Sequence, residues 1–171
     1  HHALVDLQRR GRLRALITQN IDGLHQRAGS VGVIELHGTL YGVVCLSCDA
    51  TTTMQAALAR VAAGEPDPPC EQCGGIQKAA TISFGQSLHP QVLDAAVRAA
   101  ADCDLFLAIG TSLQVQPAAG LCELAVSRGA TLIIVNAEPT PYDGMARARL
   151  AEPIGQVLPA LVAACGGSGG G

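Results

Sequence analysis

The chain has 171 residues, 49% of them hydrophobic, and a net charge of −3. That suits one domain, or one domain with a small insert, and excludes a disordered chain. No basic run marks a nucleic-acid footprint, and no apolar stretch approaches the roughly 20 residues of a membrane span. Aromatic residues are 2% of the total, so Val, Leu, Ile and Ala must fill the core. The seven Cys are an odd number, and four of them form two C-x-x-C pairs. This favours a metal site in a reducing compartment, most simply a bacterial cytoplasm, over a disulfide framework. The chain begins at His1 rather than Met, which reads as a truncation, and no signal peptide is visible.

From the N-terminus, Ala3 to Arg10 places Leu4 and Leu7 on one face and predicts a short amphipathic helix stopped by Gly11. Leu13 to Ile17 predicts a short apolar strand, followed directly by Thr18, Gln19, Asn20 and Asp22. A strand that ends in amide, carboxylate and hydroxyl groups presents them at its C-terminal edge, where open α/β sheets bind ligands. Residues 21–27 predict one or two helical turns ended by Gly29, with His25 bracing them through local hydrogen bonds. A second apolar run, Val33 to Leu36, delivers His37 and Gly38 to the same edge. Asn20 and Asp22 suit sugar hydroxyls and a carboxamide, and His37 suits proton transfer near neutral pH. By themselves these residues favour a blander reading, a polar loop with a capping Asp22 and a buried, hydrogen-bonded His37.

Cys45-Leu46-Ser47-Cys48 and Cys70-Glu71-Gln72-Cys73 are separated by 21 residues. Two such knuckles match a four-thiolate zinc ribbon, with a helix near 54–63 between them ended by Gly64 and a proline-rich run. Four thiolates leave no open coordination position, so the metal is expected to be structural. Ala79 to Gly85 returns to strand character, and Pro90 to Ala101 predicts a helix with Pro90 in its first turn. Leu105 to Ile109 predicts a buried parallel strand ending at Gly110-Thr111-Ser112, a plausible phosphate cradle. Pro117 to Arg128 predicts a helix with Cys122 in the core, where Cys103 is also expected. Thr131 to Val135 predicts another buried strand, delivering Asn136 and Glu138, and a last helix begins near Ile154 or Gly155. Residues 166–171, five Gly and one Ser, read as a flexible tail.

Together T-Q-N-I-D-G-L-H, E-L-H-G, the paired C-x-x-C knuckles, S-F-G-Q, G-T-S-L-x-V-x-P and I-V-N-A-E resemble, in order, the motifs of the sirtuins, the NAD-dependent protein deacylases. The resemblance covers nearly the whole chain. It implies an α/β fold in which residues 1–43 and 79–165 form a Rossmann-like parallel-sheet domain and residues 44–78 an inserted zinc module. It implies transfer of an acyl group from a lysine of a protein or peptide to ADP-ribose, with release of nicotinamide. His37 would be the general base, and Asn20 would orient the nicotinamide ribose and a water. Gln19 would hold a ribose hydroxyl and Asp22 the carboxamide. Gly110, Thr111 and Ser112 would face phosphate, Asn136 and Glu138 the adenosine ribose, and the backbone at Ile154 the adenine. Ser83, Phe84, Gly85 and Gln86 would pair with the substrate peptide as an added strand, and Cys45, Cys48, Cys70 and Cys73 would hold zinc. Gln86 and His89 depart from the Glu and Pro usual in the family, which bears on side-chain preference near the acyl-lysine.

The family's opening Gly-Ala-Gly-x-Ser and Gly-Ile-Pro-Asp-Phe-Arg motifs do not occur in these 171 residues. The expectation is therefore a sheet lacking its first strand and cofactor loop, with unpaired edges at 13–17 and 105–109 and weak or no NAD binding by the isolated chain. The alternatives are a mono-ADP-ribosyltransferase on the same fold and a non-catalytic zinc-ribbon interaction module. A nucleic-acid-binding ribbon fits poorly. Residues 44–78 carry only Arg60 and Lys78 as cations against Asp49, Glu65, Asp67 and Glu71. A dehydrogenase fits poorly because G-x-G-x-x-G is absent.

Overall fold

The computed structural model of the protein describes residues 1–165, so the glycine tail expected at 166–171 lies outside the described residues. Helix α1 (His2–Arg9) buries Leu4 and Val5. Gly11, at φ +66°, lets the chain fold back so that the amides of Arg12 and Leu13 donate to the Leu7 carbonyl. Because Leu13 is used in that turn, strand β1 is only Leu16–Thr18, shorter than the apolar run suggests. Helix α2 (Leu24–Ala28), closed by Gly29 at φ +106°, leads to β2 (Val33–Glu35). The two strands pair in parallel, with Leu16 opposite Val33 and Thr18 opposite Glu35.

The chain then enters an antiparallel sheet in the order β4-β3-β5. Its centre is β3 (Gly38–Cys45), flanked by β4 (Thr51–Thr53) and β5 (Gln77–Thr81). The polar, exposed β4 has no apolar pattern from which it could be read. Thr53 caps helix α3 (Met54–Ala62) by accepting from the Ala56 amide at 3.1 Å. Strand β5 ends at Thr81, opposite Gly38, because β3 offers no residue beyond that point. Ser83–Gln86 therefore do not continue the strand as expected. They form an exposed turn in which Gln86 Oε1 accepts from the Ser83 amide at 2.8 Å.

Helix α4 (Pro90–Ala101) and strand β6 (Leu105–Ile109) follow where the sequence places them. Helix α5 begins at Gly120 rather than Pro117 and runs to Ser127, since residues 117–119 form turns instead. Strand β7 (Thr131–Val135) pairs in parallel with β6 and with β8 (Ala148–Leu150). The A-R-L run of β8 has no β-branched residue and is mostly exposed, so its sequence carries no strand signal. Helix α6 (Ile154–Ala164) returns to pack on α1.

The parallel strands thus form two hydrogen-bonded sheets, β1-β2 and β6-β7-β8. Leu16 of β1 and Leu107 and Ile109 of β6 share one apolar cluster with Leu4 and Leu158. A second cluster joins the almost fully buried Leu36 to Ala96 and Ala100 of α4 and to Leu121 and Ala125 of α5. The alanines let these helices approach closely, which is how a core is built with so few aromatic side chains. Cys122 is buried against Ile134, and Cys103 is partly buried beside α4 and α5, as expected.

Gly38 is the tightest point of the fold. It sits at φ +75°, and a Cβ there would collide with the backbone carbonyl of Ala80. Gly38→Ala is expected to destabilise the protein by about 2 kcal/mol or more, a fall in Tm of about 5 °C or more. Gly155→Ala in α6, where a Cβ meets nothing within 4 Å, should be neutral or stabilising by up to about 1 kcal/mol. Thermal melts of the two variants check the pair.

Candidate active site and metal centre

Each apolar strand stops at a residue whose backbone positions the next polar group. The buried Thr18 ends β1, and its Oγ1 accepts from the Asn20 amide at 3.1 Å. Leu36, just past β2, donates its amide to the Thr18 carbonyl at 2.9 Å, which carries His37 alongside Gln19. His37 Nδ1 lies 3.0 Å from the Gln19 carbonyl oxygen. A carbonyl can only accept, so Nδ1 carries a proton, and in the neutral imidazole the lone pair is then on Nε2. The His37 carbonyl in turn accepts from the Ile82 amide at 2.9 Å, placing the 83–86 turn beside the imidazole's backbone. Within that turn Phe84 is 96% exposed.

Asp22 Oδ1 accepts from the Leu24 amide at 3.0 Å, so this carboxylate caps α2 and keeps its other oxygen available. Gln19 reaches across to the second parallel sheet, donating Nε2–H to Thr111 Oγ1 at 3.2 Å, and that hydroxyl also accepts from the Leu113 amide. Gln19 and Thr111, from opposite halves of the chain, are thereby brought together. His25 packs its ring 4.6 Å from that of His1, and its buried Nδ1 has no partner among the described residues. It contributes ring packing rather than the local hydrogen bonds expected of it, and burial lowers its pKa, with the N-terminal charge adding to the shift.

The second edge is built from the ends of β6, β7 and β8. The Gly110 amide donates to the Val135 carbonyl and the Asn136 amide to the Leu150 carbonyl. Gly110 sits at φ +60°, and a Cβ there would lie 2.9 Å from Ile154 Cδ1, so Gly110 and Ile154 are neighbours. Asn136 Nδ2 donates to the Glu138 carbonyl at 2.8 Å, while the Glu138 side chain is exposed, as are Ser112 and Asn20. Sequence reasoning missed Arg149. Its guanidinium donates to the carbonyls of Asn136 and Ala137 and pairs with Asp143 at 3.2 Å, bracing this loop. The only signal for it was a basic residue in an otherwise small-residue run.

The four knuckle cysteines converge. All their sulfur atoms lie within 4.8 Å of one another, with Cys45–Cys73 at 3.5 Å and Cys48–Cys70 at 3.7 Å. A zinc tetrahedron with Zn–S bonds near 2.3 Å has edges of about 3.8 Å, so the donor set fits that ion. Gly74 at φ +72° makes the turn after Cys73. Gly75 is required because a Cβ there would meet Ser47 Oγ at 2.6 Å and Cys45 Sγ at 3.1 Å. The Ser47 amide, pointing at Cys45, lowers that thiol to about 6. The Ala50 amide favours the Cys48 thiolate, but the Cys73 thiol and burial outweigh it and push Cys48 up to about 12.

Comparison with known proteins follows this geometry. Residues 1–117 match the family model described as the Sir2 family. NAD-dependent protein deacetylase 2 of Streptomyces coelicolor is 53% identical over 97% of this chain, which spans 70% of that protein. The NAD-dependent protein deacetylase of Thermodesulfovibrio yellowstonii is 43% identical over 92% of this chain, which spans 62% of its length. A solved structure described as "Sir2-p53 peptide-NAD+" superposes with a TM-score of 0.87 at 33% identity, over 96% of this chain and 69% of the other. The paired strand ends with their amide, carboxylate and imidazole, the four-cysteine cluster, and this depth of similarity over nearly all its residues make the chain a member of the Sir2 family.

Proposed function

We propose that the chain is the catalytic portion of an NAD-dependent protein lysine deacetylase or deacylase, with 1–43 and 79–165 as the NAD-binding domain and 44–78 as the zinc module. The observation that carries this reading is the contact of His37 Nδ1 with the Gln19 carbonyl, which leaves Nε2 without a protein partner among the described residues, while the Ile82 amide holds the residue through its main-chain carbonyl. NAD would supply the ADP-ribose that receives the acyl group. His37 Nε2 would accept a proton from a ribose hydroxyl as that hydroxyl attacks. Asn20 would orient the ribose and a water, Asp22 would hold the carboxamide with its second oxygen, and Gln19 would exchange its bond to Thr111 for a ribose hydroxyl. Gly110, Thr111 and Ser112 would face phosphate, and Asn136, Glu138 and the Ile154 backbone the adenosine. The exposed 83–86 turn would become an ordered strand on pairing with an acyl-lysine peptide.

Four thiolates hold zinc without an open position, so the ion serves architecture and not the reaction. No helix among the described residues is long and apolar enough to cross a membrane. A cytoplasmic location is part of the proposal, supported by the reduced cysteines the zinc site needs.

The test is deacetylation of an acetyl-lysine peptide with NAD, read as acetyl-ADP-ribose by mass spectrometry, using a polypeptide that carries this sequence at its relatives' full length. His37→Ala is expected to lower turnover by about 100-fold or more with zinc content unchanged. Retained turnover would remove His37 as the base, and label from NAD appearing on protein instead would favour ADP-ribosyl transfer. Cys48→Ser is expected to abolish stoichiometric zinc by atomic absorption and to cost about 2–5 kcal/mol of stability. Full zinc occupancy in that variant would contradict the four-thiolate assignment.

A further inference from the structure

Helix α3 buries none of its residues, and Leu58 and Val61 on it are 58% and 42% exposed. Apolar packing therefore does little to fix it. The segment that follows, Glu65-Pro66-Asp67-Pro68-Pro69, leads directly into Cys70. Its prolines have no N–H, so the segment cannot bond itself into a turn and depends on donors from elsewhere. Arg60 of α3 is the main one. Its Nε and Nη2 donate as a fork to the two carboxylate oxygens of Glu65, each at 2.7 Å. Its Nη1 donates to the Pro69 carbonyl at 2.8 Å and lies 3.9 Å from Glu71 Oε1. Gln77 adds one bond, from Nε2 to the Pro68 carbonyl at 3.1 Å. Arg60 thus grips the chain at both ends of the proline run that leads into the second knuckle.

We propose that Arg60 is a positioning residue of the metal centre. Its guanidinium ties α3 to the backbone that delivers Cys70, and so holds the second knuckle in the geometry that receives zinc. Its own charge is met by Glu65 and lies near Glu71, so its contribution is the placement of the backbone that leads to Cys70. Lys78, the other cation of the module, donates its ammonium to the Thr81 carbonyl at 2.5 Å. A bidentate fork that also reaches a carbonyl is a geometry lysine cannot reproduce. Partners outside the ligand set that orient the ligands are worth about 10- to 100-fold in metal affinity.

The experiment is competition for zinc between the metal-loaded protein and a chromophoric chelator, at fixed pH. Arg60→Ala is expected to weaken zinc binding by about 10- to 100-fold, with all four cysteines present and the far-UV spectrum of the zinc-saturated protein unchanged. Arg60→Lys, which keeps the charge and loses the fork, and Glu65→Gln, which weakens the fork's acceptor, should each weaken it by about five-fold or more. Affinity within about two-fold of wild type in Arg60→Ala would overturn the inference. Wild-type affinity in Arg60→Lys would overturn the positioning role. If Arg60→Ala does not fold, the Lys and Gln variants decide the matter by the same thresholds.

Discussion

The structure depends on one short hydrogen bond, from His37 Nδ1 to the carbonyl of Gln19. Only a parallel register that places Thr18 opposite Glu35 brings the two residues level. That register needs β1 to end at Thr18, and hence the fold-back of Arg12 and Leu13 onto Leu7. A slip of one residue would turn Leu16 and Val33 out of the apolar cluster they occupy. The burial of those side chains therefore fixes which ring nitrogen of His37 faces the Gln19 carbonyl. The proposed site rests on backbone geometry, with Gln19 contributing its carbonyl to His37 and its side chain to Thr111.

The zinc module is joined to this point by two strands. Strand β3 begins at Gly38, next to His37, and ends at Cys45, the first metal ligand. Strand β5 runs back beside it from the second knuckle to Thr81, and the following residue, Ile82, donates to the His37 carbonyl. The metal centre and the proposed base thus stand at opposite ends of one paired ladder. A structural ion held by the four cysteines at one end would fix the far ends of the strands that hold the imidazole at the other. The tight contact of Gly38 with Ala80 is where this ladder meets the cleft.

Much of this was legible in the sequence. Strands β6 and β7 and helix α4 stand where continuous apolar runs and a first-turn proline put them. The knuckles were readable because metal ligation demands thiols at a fixed spacing. What was not legible depends on partners rather than on the local chain. Strand β4 is three threonines paired to β3, and β8 is an A-R-L run paired to β7. Ser83 to Gly85 carry strand character but leave the sheet because β3 begins at Gly38, opposite Thr81. Arg60 and Arg149 look like surface charges in sequence. Their roles come from the carbonyls they meet at Pro69, Asn136 and Ala137. The tautomer of His37 was likewise out of reach, since it is set by a main-chain acceptor that every residue possesses.

The most direct measurement is the protonation pattern of His37 itself, read from two-bond proton–nitrogen couplings in the ¹⁵N-labelled protein at neutral to mildly alkaline pH. The expected result is a single neutral tautomer with the proton on Nδ1 and an unprotonated Nε2. A ring protonated on Nε2, or one averaging between the two tautomers as in free histidine, would contradict it, because the bond to the Gln19 carbonyl would then not be holding the base.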